Sequence, residues 1–451
     1  MYDLYKIDLS SDRAPFPETP FLKECELKKI PLSFFHLAAP FEKIGLKTFL
    51  SRLEMLLSSK GKVSAYYLIR KGKIVHTALV VPPCRKFPFL GSGDIQIGPC
   101  VTEPSYRGKG AYPYVLSKIL EEESSVGFAY MMVRESNTPS VKGIEKAGFL
   151  KAGKVKKTGF FKRYEKAPEG LLQWRYYKHA LIPKTAPHEK VSTKELENGT
   201  LWKWFPKGAI LARWTEDFDM PNKTPFWYVI KDTPFEIEEV KAKRRYEIRK
   251  ALKNFDVSVI DPAPYKEDLY RVQVAAYSAY PKKYRPGVDP VSFQKDIEST
   301  WCGADNTVIG AFEKESGKLC GYARLVKNEN FIHFDSLKTN PEFEKKGVNA
   351  ALIFQVLQVF DSDLRDASYI CDGARNIQHE TSFQDYLEKY FGFRKAYCHL
   401  RIEYHFMYKA LILLLYKMRF VLQKFDGFSL IHKINGILMM EEIVRQQEKK
   451  A

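Results

Sequence analysis

Two stretches of this chain, "TEPSYRGKGAYPYVL" (Thr102–Leu116) and "TNPEFEKKGVNAALI" (Thr339–Ile353), share one skeleton. Thr102/Thr339, Pro104/Pro341, Lys109/Lys346 and Gly110/Gly347 fall at a constant offset, and Tyr106 stands opposite Phe343. Asn137 and Asn376 follow at similar distances, as do the Gly-Phe pairs 148–149 and 392–393. An ordered series of this kind constrains the chain to a duplicated unit, and 451 residues leave room for two ordinary domains.

Local patterning describes each copy. "AYYLIRKGKIVHTALVV" (65–81) reads as a hairpin turning at Lys-Gly, and "DIQIGPCVT" (94–102) as a further strand. The glycine turn, a helix near 112–123, the strand "FAYMMVRES" and a short helix stopped by Gly148 complete the plan. From residue 306 to 404 the same succession returns. The expected fold class is α/β: two tandem domains, each a mixed, mostly antiparallel sheet flanked by helices, with a helical tail. The boundaries expected are 1–182 and 201–405 for the domains, 183–200 for a polar, proline-bearing linker, and 406–451 for a basic amphipathic tail.

A net charge of +18 favours anionic partners: phosphorylated cofactors, nucleic acid or anionic lipid. The seven cysteines are odd in number, scattered and without a CxxC pair, which is a reducing-compartment pattern. "MYDLYKIDLSSDRAPF" carries charge where a signal peptide needs an apolar run, so a cytoplasmic protein is expected. The nine histidines form no HExxH or paired-ligand spacing, and no metal is expected.

A helix that starts just after Gly108 and Gly110 presents main-chain N–H groups in one direction, with partial positive charge and no Cβ in the way. Arg107 and Lys109 add full charges, so a diphosphate fits the turn. "VTEPSYRGKGAY" and "SNTPSVKGIEKAGF" together resemble the GNAT superfamily of acyl-CoA-dependent N-acyltransferases. Its hallmark is a strand, then R/Q-x-x-G-x-G/A, then a helix, with an Asn after the next strand and a Gly-Phe ending the helix that follows. The resemblance covers roughly 60–165. It implies acetyl-CoA as acyl donor, held by Cys100, Val101, Arg107, Gly108, Lys109, Gly110, Ala111, Tyr112, Asn137 and Ser140. The chain departs from the motif at Tyr112, where the family has Gly or Ala, and at Pro113, which has no N–H to donate. Glu344 replaces Arg107 in the second copy, and a carboxylate there repels a diphosphate, so the second unit is expected to keep the fold without the cofactor site.

The proton-transfer groups are poorly marked. The helix position where many family members place a tyrosine is Ile144 here; Tyr112, Tyr114 and Tyr130 are candidate acids in its place, with Asp94 and Glu135 as candidate bases. Asp372, Arg375, Asn376 and His379 crowd a strand-to-helix junction of the second half and are candidate substrate contacts. An N-cap and loop network reads equally well there. The segment 371–400 resembles second-half segments of GNAT- or Fem-like proteins associated with bacterial surface-polysaccharide synthesis.

The leading expectation is therefore an N-acetyltransferase acting on a small-molecule or glycan amine, with an amino sugar of a surface polysaccharide as the acceptor. "RRYEIRKALK" (244–253) resembles an element of the Fem-type peptidyltransferases, which implies the rival: aminoacyl-tRNA-dependent transfer to a peptidoglycan precursor. The third reading is a GNAT-fold binding protein without catalysis. Residues 406–422, apolar with basic punctuation, either pack on the second domain or meet the inner face of an anionic membrane.

Overall fold

The computed structural model of the chain describes all residues except 12, 14, 15, 124–126, 135, 160–162, 206, 207, 281–284, 378–381, 450 and 451. The chain divides into two compact units, Met1–Arg175 with Ser192–Lys207, and Tyr176–Val191 with Gly208–Ala451. Residues 183–200 are thus shared between the units, and include a short helix at Lys194–Glu197.

The first unit holds an eight-stranded sheet: β1 (Tyr2–Asp8), β2 (Glu26–Leu32), β3 (Val63–Arg70), β4 (Lys73–Val81), β5 (Ile95–Thr102), β6 (Phe128–Val133), β7 (Leu150–Thr158) and β8 (Arg163–Lys166). The spatial order is β2-β3-β4-β5-β6-β1-β7-β8. Among the described residues of this sheet only the β5–β6 pair is parallel. Helix α1 (Leu46–Ser58) covers one face through Met55 and Leu56, in a core with Tyr67 and Leu79. The other face carries α2 (Ala111–Glu122) and α3 (Thr138–Lys146). On α2, Val115, Leu116, Ile119 and Leu120 recur at helical spacing and meet Tyr66, Leu68 and Ala78 of the sheet.

The second sheet comprises β9 (Trp174–Tyr177), whose first two residues belong to the first unit, with β10 (Ala180–Pro183), β11 (Leu211–Met220), β12 (Phe226–Lys231), β13 (Phe255–Val259), β14 (Asn306–Glu313), β15 (Leu319–Lys327), β16 (Phe331–Thr339), β17 (Tyr369–Ala374) and β18 (Arg394–Tyr404) of the second. These form a ten-stranded sheet of order β13-β14-β15-β16-β17-β12-β18-β11-β10-β9. The first seven of these repeat β2-β3-β4-β5-β6-β1-β7 strand for strand and with the same directions, the parallel pair now being β16–β17. Helices α4 (Ala242–Asn254), α6 (Val348–Val359) and α7 (Phe383–Phe391) build the core of one face, and α5 (Lys266–Ser278) packs with Trp301 and Tyr322 on the other. The C-terminal helices α8 (Phe406–Lys417), α9 (Arg419–Gln423) and α10 (Ser429–Glu448) add their own small core around Leu211, Tyr404 and Leu438. The α/β class, the duplication and the mostly antiparallel sheets are as the sequence predicts.

Candidate functional site

The site of interest begins where β5 leaves β6. Their parallel pairing is limited to Ile95 with Ala129 and Gln96 with Tyr130. Just beyond, Gly98 and Pro99 meet in a cis peptide bond, and the β4–β5 register shifts between Ala78 and Val80. Pro99 has no N–H for a ladder. From there to Thr102, β5 stays bonded to β4 alone. The edge facing β6 is left open over Cys100 and Val101.

After a single turn at Pro104–Tyr106 the backbone enters the left-handed region twice, at Gly108 (φ +76) and Gly110 (φ +80), before α2 starts. Gly110 caps α2 with no side chain, and no acceptor in the described chain takes the N–H of Gly110, Ala111 or Tyr112. Nothing lies within 4 Å of the point a Cβ on Gly108 would occupy. Arg107 folds back to donate from Nε to the Thr102 carbonyl at 3.3 Å. Lys109 Nζ sits 5.4 Å from the Phe21 ring and 5.5 Å from the Tyr106 ring. The first amides of this twelve-residue helix thus lack an acceptor among the described residues, with two cations on the turn before them, although Leu22 and Phe16 stand 3.8 Å from where a Cβ on Gly110 would be.

Tyr112 turns inward from this cradle. Its ring stacks on His76, with centroids 5.3 Å apart, and its hydroxyl lies near the Cys100 thiol. On the α3 side it presses on bare backbone: a Cβ on Gly143 would stand 2.5 Å from Tyr112 Cδ1. The absence of a side chain at Gly143 thus admits the ring. Burial drives the Tyr112 hydroxyl well above the usual phenol range, with Cys100 adding to the effect. Burial also pushes the Cys100 thiol up to about 12 and takes His76 down to about 4. His76 Nδ1 lies 2.7 Å from Thr102 Oγ1, while Nε2 has no hydrogen-bond partner among the described residues. The group beneath the cradle is therefore neutral at pH 7, and Cys100 is a thiol rather than a nucleophilic thiolate.

Asn137 precedes α3 with its side chain exposed and making no cap hydrogen bond, and Ser140 lies in the first turn. The structure thus gathers Cys100, Val101, Arg107 to Tyr112, Asn137 and Ser140 on the two strand-to-helix junctions that follow β5 and β6. It does not bring Asp94 there. Asp94 is at the opposite end of β5, where Oδ2 accepts from Gly91 N (2.7 Å) and Oδ1 from Phe128 N (2.8 Å), tying β5 to the start of β6. Glu135 lies outside the described residues. His76 and Gly143 complete the Tyr112 environment and were not legible as site residues, since each stands on a different element from the turn.

In the second unit the equivalent cradle is covered. Gly347 (φ +94) caps α6, but a Cβ on it would stand 2.8 Å from Ala251 Cβ, because α4 lies directly on the turn. Asn254 Nδ2 donates to the Lys346 carbonyl at 2.9 Å, and Lys346 is paired with Glu313. The basic helix also turns one cation inward: Arg244 is buried, 3.7 Å from the Tyr390 ring centroid. Gly347→Ala is expected to cost roughly 2–4 kcal/mol of stability from backbone strain and overpacking. Gly108→Ala, facing open space, should cost about 1 kcal/mol from strain alone. Urea denaturation of the two variants checks this contrast.

Asp372 follows Cys371, the last residue of β17 paired with β16. Burial lifts its carboxyl to about 7, against a hydrogen bond from Gln384 Nε2 at 3.2 Å that works the other way. Arg375 is spent on structure: its guanidinium donates to the Pro225 carbonyl and stacks 4.7 Å from the Trp227 ring. Asn376 is exposed next to it, and His379 lies outside the described residues.

No protein-family model and no curated protein matches this chain. Among solved structures it is similar to L-PGS from Bacillus licheniformis, at 12% identity over 54% of this chain and 83% of that one, with a TM-score of 0.34. It is also similar to the PaiA N-acetyltransferase from Thermoplasma acidophilum in complex with coenzyme A, at 14% identity over 34% and 99% of the two chains and a TM-score of 0.25. A tandem GNAT protein from the clavulanic acid biosynthesis pathway is similar over 84% of this chain and 98% of its own, at 10% identity and a TM-score of 0.25.

Proposed function

We propose that the first unit is an acyl-coenzyme A-dependent N-acyltransferase. The observation that carries the reading is the open cradle at 108–112, placed where β5 and β6 part. The amides of Gly110, Ala111 and Tyr112, with Arg107 and Lys109, would hold the cofactor's diphosphate. Residues 100–101, Asn137 and Ser140 line the way along the parted strands. Two observations support the fit: no described residue comes within 4 Å of where a Cβ on Gly108 would stand, and the helix start has donors without an acceptor among the described residues. Acyl-coenzyme A would supply an acyl group already activated as a thioester.

The remaining work falls to the chain. Main-chain N–H on the open edge of β5 is the donor type that polarises a carbonyl without deprotonating anything. Cys100, kept protonated, does not compete with the amine as an acyl acceptor. His76, Tyr112 and Cys100 place no negative charge under the cradle, so these three side chains do not offset Arg107 and Lys109. The narrower form of the proposal, acetyl transfer to an amino sugar, rests on the likeness of 371–400 to segments from glycan-related proteins.

Calorimetry with acetyl-CoA tests the reading. Wild type should bind, and Arg107→Ala combined with Gly108→Asp should weaken binding by about a hundredfold, through loss of one charge-assisted contact and gain of a facing carboxylate. Absence of wild-type binding, or equal binding by the double variant, removes the proposal.

A further inference from the structure

Helix α8 is apolar on two faces. Tyr408, Ile412, Leu415 and Tyr416 pack into the small C-terminal core. On the other side Met407, Leu411, Leu414 and Met418 follow one another at alternating steps of four and three residues, and Val421, Phe425 and Phe428 continue the series. Each of these seven is 48% exposed or more. A helix that packs one apolar face ordinarily turns a polar one to water, and a contiguous exposed patch of large apolar side chains marks a contact surface.

Charge decides the occupant. Between residues 406 and 440 the chain has five basic residues, Lys409, Lys417, Arg419, Lys424 and Lys433, against a single acid, Asp426. Lys417, Lys424 and Lys433 have no carboxylate partner among the described residues, and Asp426 is taken up by His432 and Asn435. Beside the patch, Phe420 and Met439 share a cavity of about 300 Å³ with Arg375 and Arg419, the latter paired with Glu442 at 3.1 Å. No helix among the described residues is long and apolar enough to cross a membrane. Apolar anchors at helical spacing, rimmed by unpaired lysines on a segment too short to span, are the composition of a helix that lies in a bilayer interface.

We propose that α8 and α9 dock the chain flat on an anionic phospholipid surface, with Met407, Leu411, Leu414, Val421 and Phe425 entering the acyl boundary and the lysines meeting headgroup phosphates. Vesicle flotation of the full chain tests it, using phosphatidylcholine alone and an equal mixture with phosphatidylglycerol. Wild type should float with the mixed vesicles and bind the zwitterionic ones at least about tenfold more weakly. Leu411→Gln/Leu414→Gln/Phe425→Gln, which keeps charge and folded core, and Lys417→Glu/Lys424→Glu/Lys433→Glu, which keeps the apolar face, should each lose about tenfold or more. Three results overturn the proposal: no flotation of wild type, flotation equal in all three proteins, or a stable dimer by light scattering that the glutamine variant dissolves while wild type ignores vesicles.

Discussion

Asp372→Asn is expected to stabilise the protein at mildly alkaline pH and to flatten one limb of its pH–stability curve. The folded carboxyl titrates near 7 because burial penalises its charge, against 3.8 in the unfolded chain. From about pH 4 to about pH 7 the folded state therefore keeps a proton that the unfolded chain has released. Stability then falls as pH rises through that window, by about 4 kcal/mol in all, and stays low above it. Asparagine is neutral throughout and offers Gln384 the same kind of acceptor. Urea midpoints measured across this window should decline in wild type and hold steady in the variant; parallel curves would show that Asp372 titrates elsewhere.

His76→Gln addresses the opposite limb. The buried imidazole titrates near 4, against 6.5 when unfolded. Below about pH 6.5 the unfolded chain takes up a proton that folded His76 refuses, so stability is lost as pH falls toward 4, by about 3 kcal/mol. Glutamine retains a polar partner for Thr102 and removes the titration. Its acid limb should be shallower than that of wild type, and an unchanged limb would sink the assignment. Asp372 and His76 belong to different units, so the two substitutions should act independently.

The repeated α/β plan was legible because its markers are local: a proline, a basic turn and a glycine before a helix read the same in both copies. The placement of β1 was not. Its partners lie in β6 and β7, and "YDLYKID", flanked on both sides within a sheet, lacks the alternation of a half-exposed strand. Asp94 sits at a strand start as its position implied, but only the fold reveals that both oxygens are consumed by Gly91 and Phe128. Tyr112 could be named from the motif, whereas the space made for it by Gly143 appears only once α2 and α3 pack. Arg244 reads as one more cation on a solvated face until the rings of α7 close over it.

The insertion of β1 between β6 and β7 also sets a timetable for synthesis. As the nascent chain leaves the ribosome, residues 2–8 appear well before their hydrogen-bonding neighbours, which are not complete until Thr158 has emerged. β12 waits in the same way for β17 and β18. Each half of the molecule thus carries an early segment with two unfilled edges, a state in which a chaperone has something to hold.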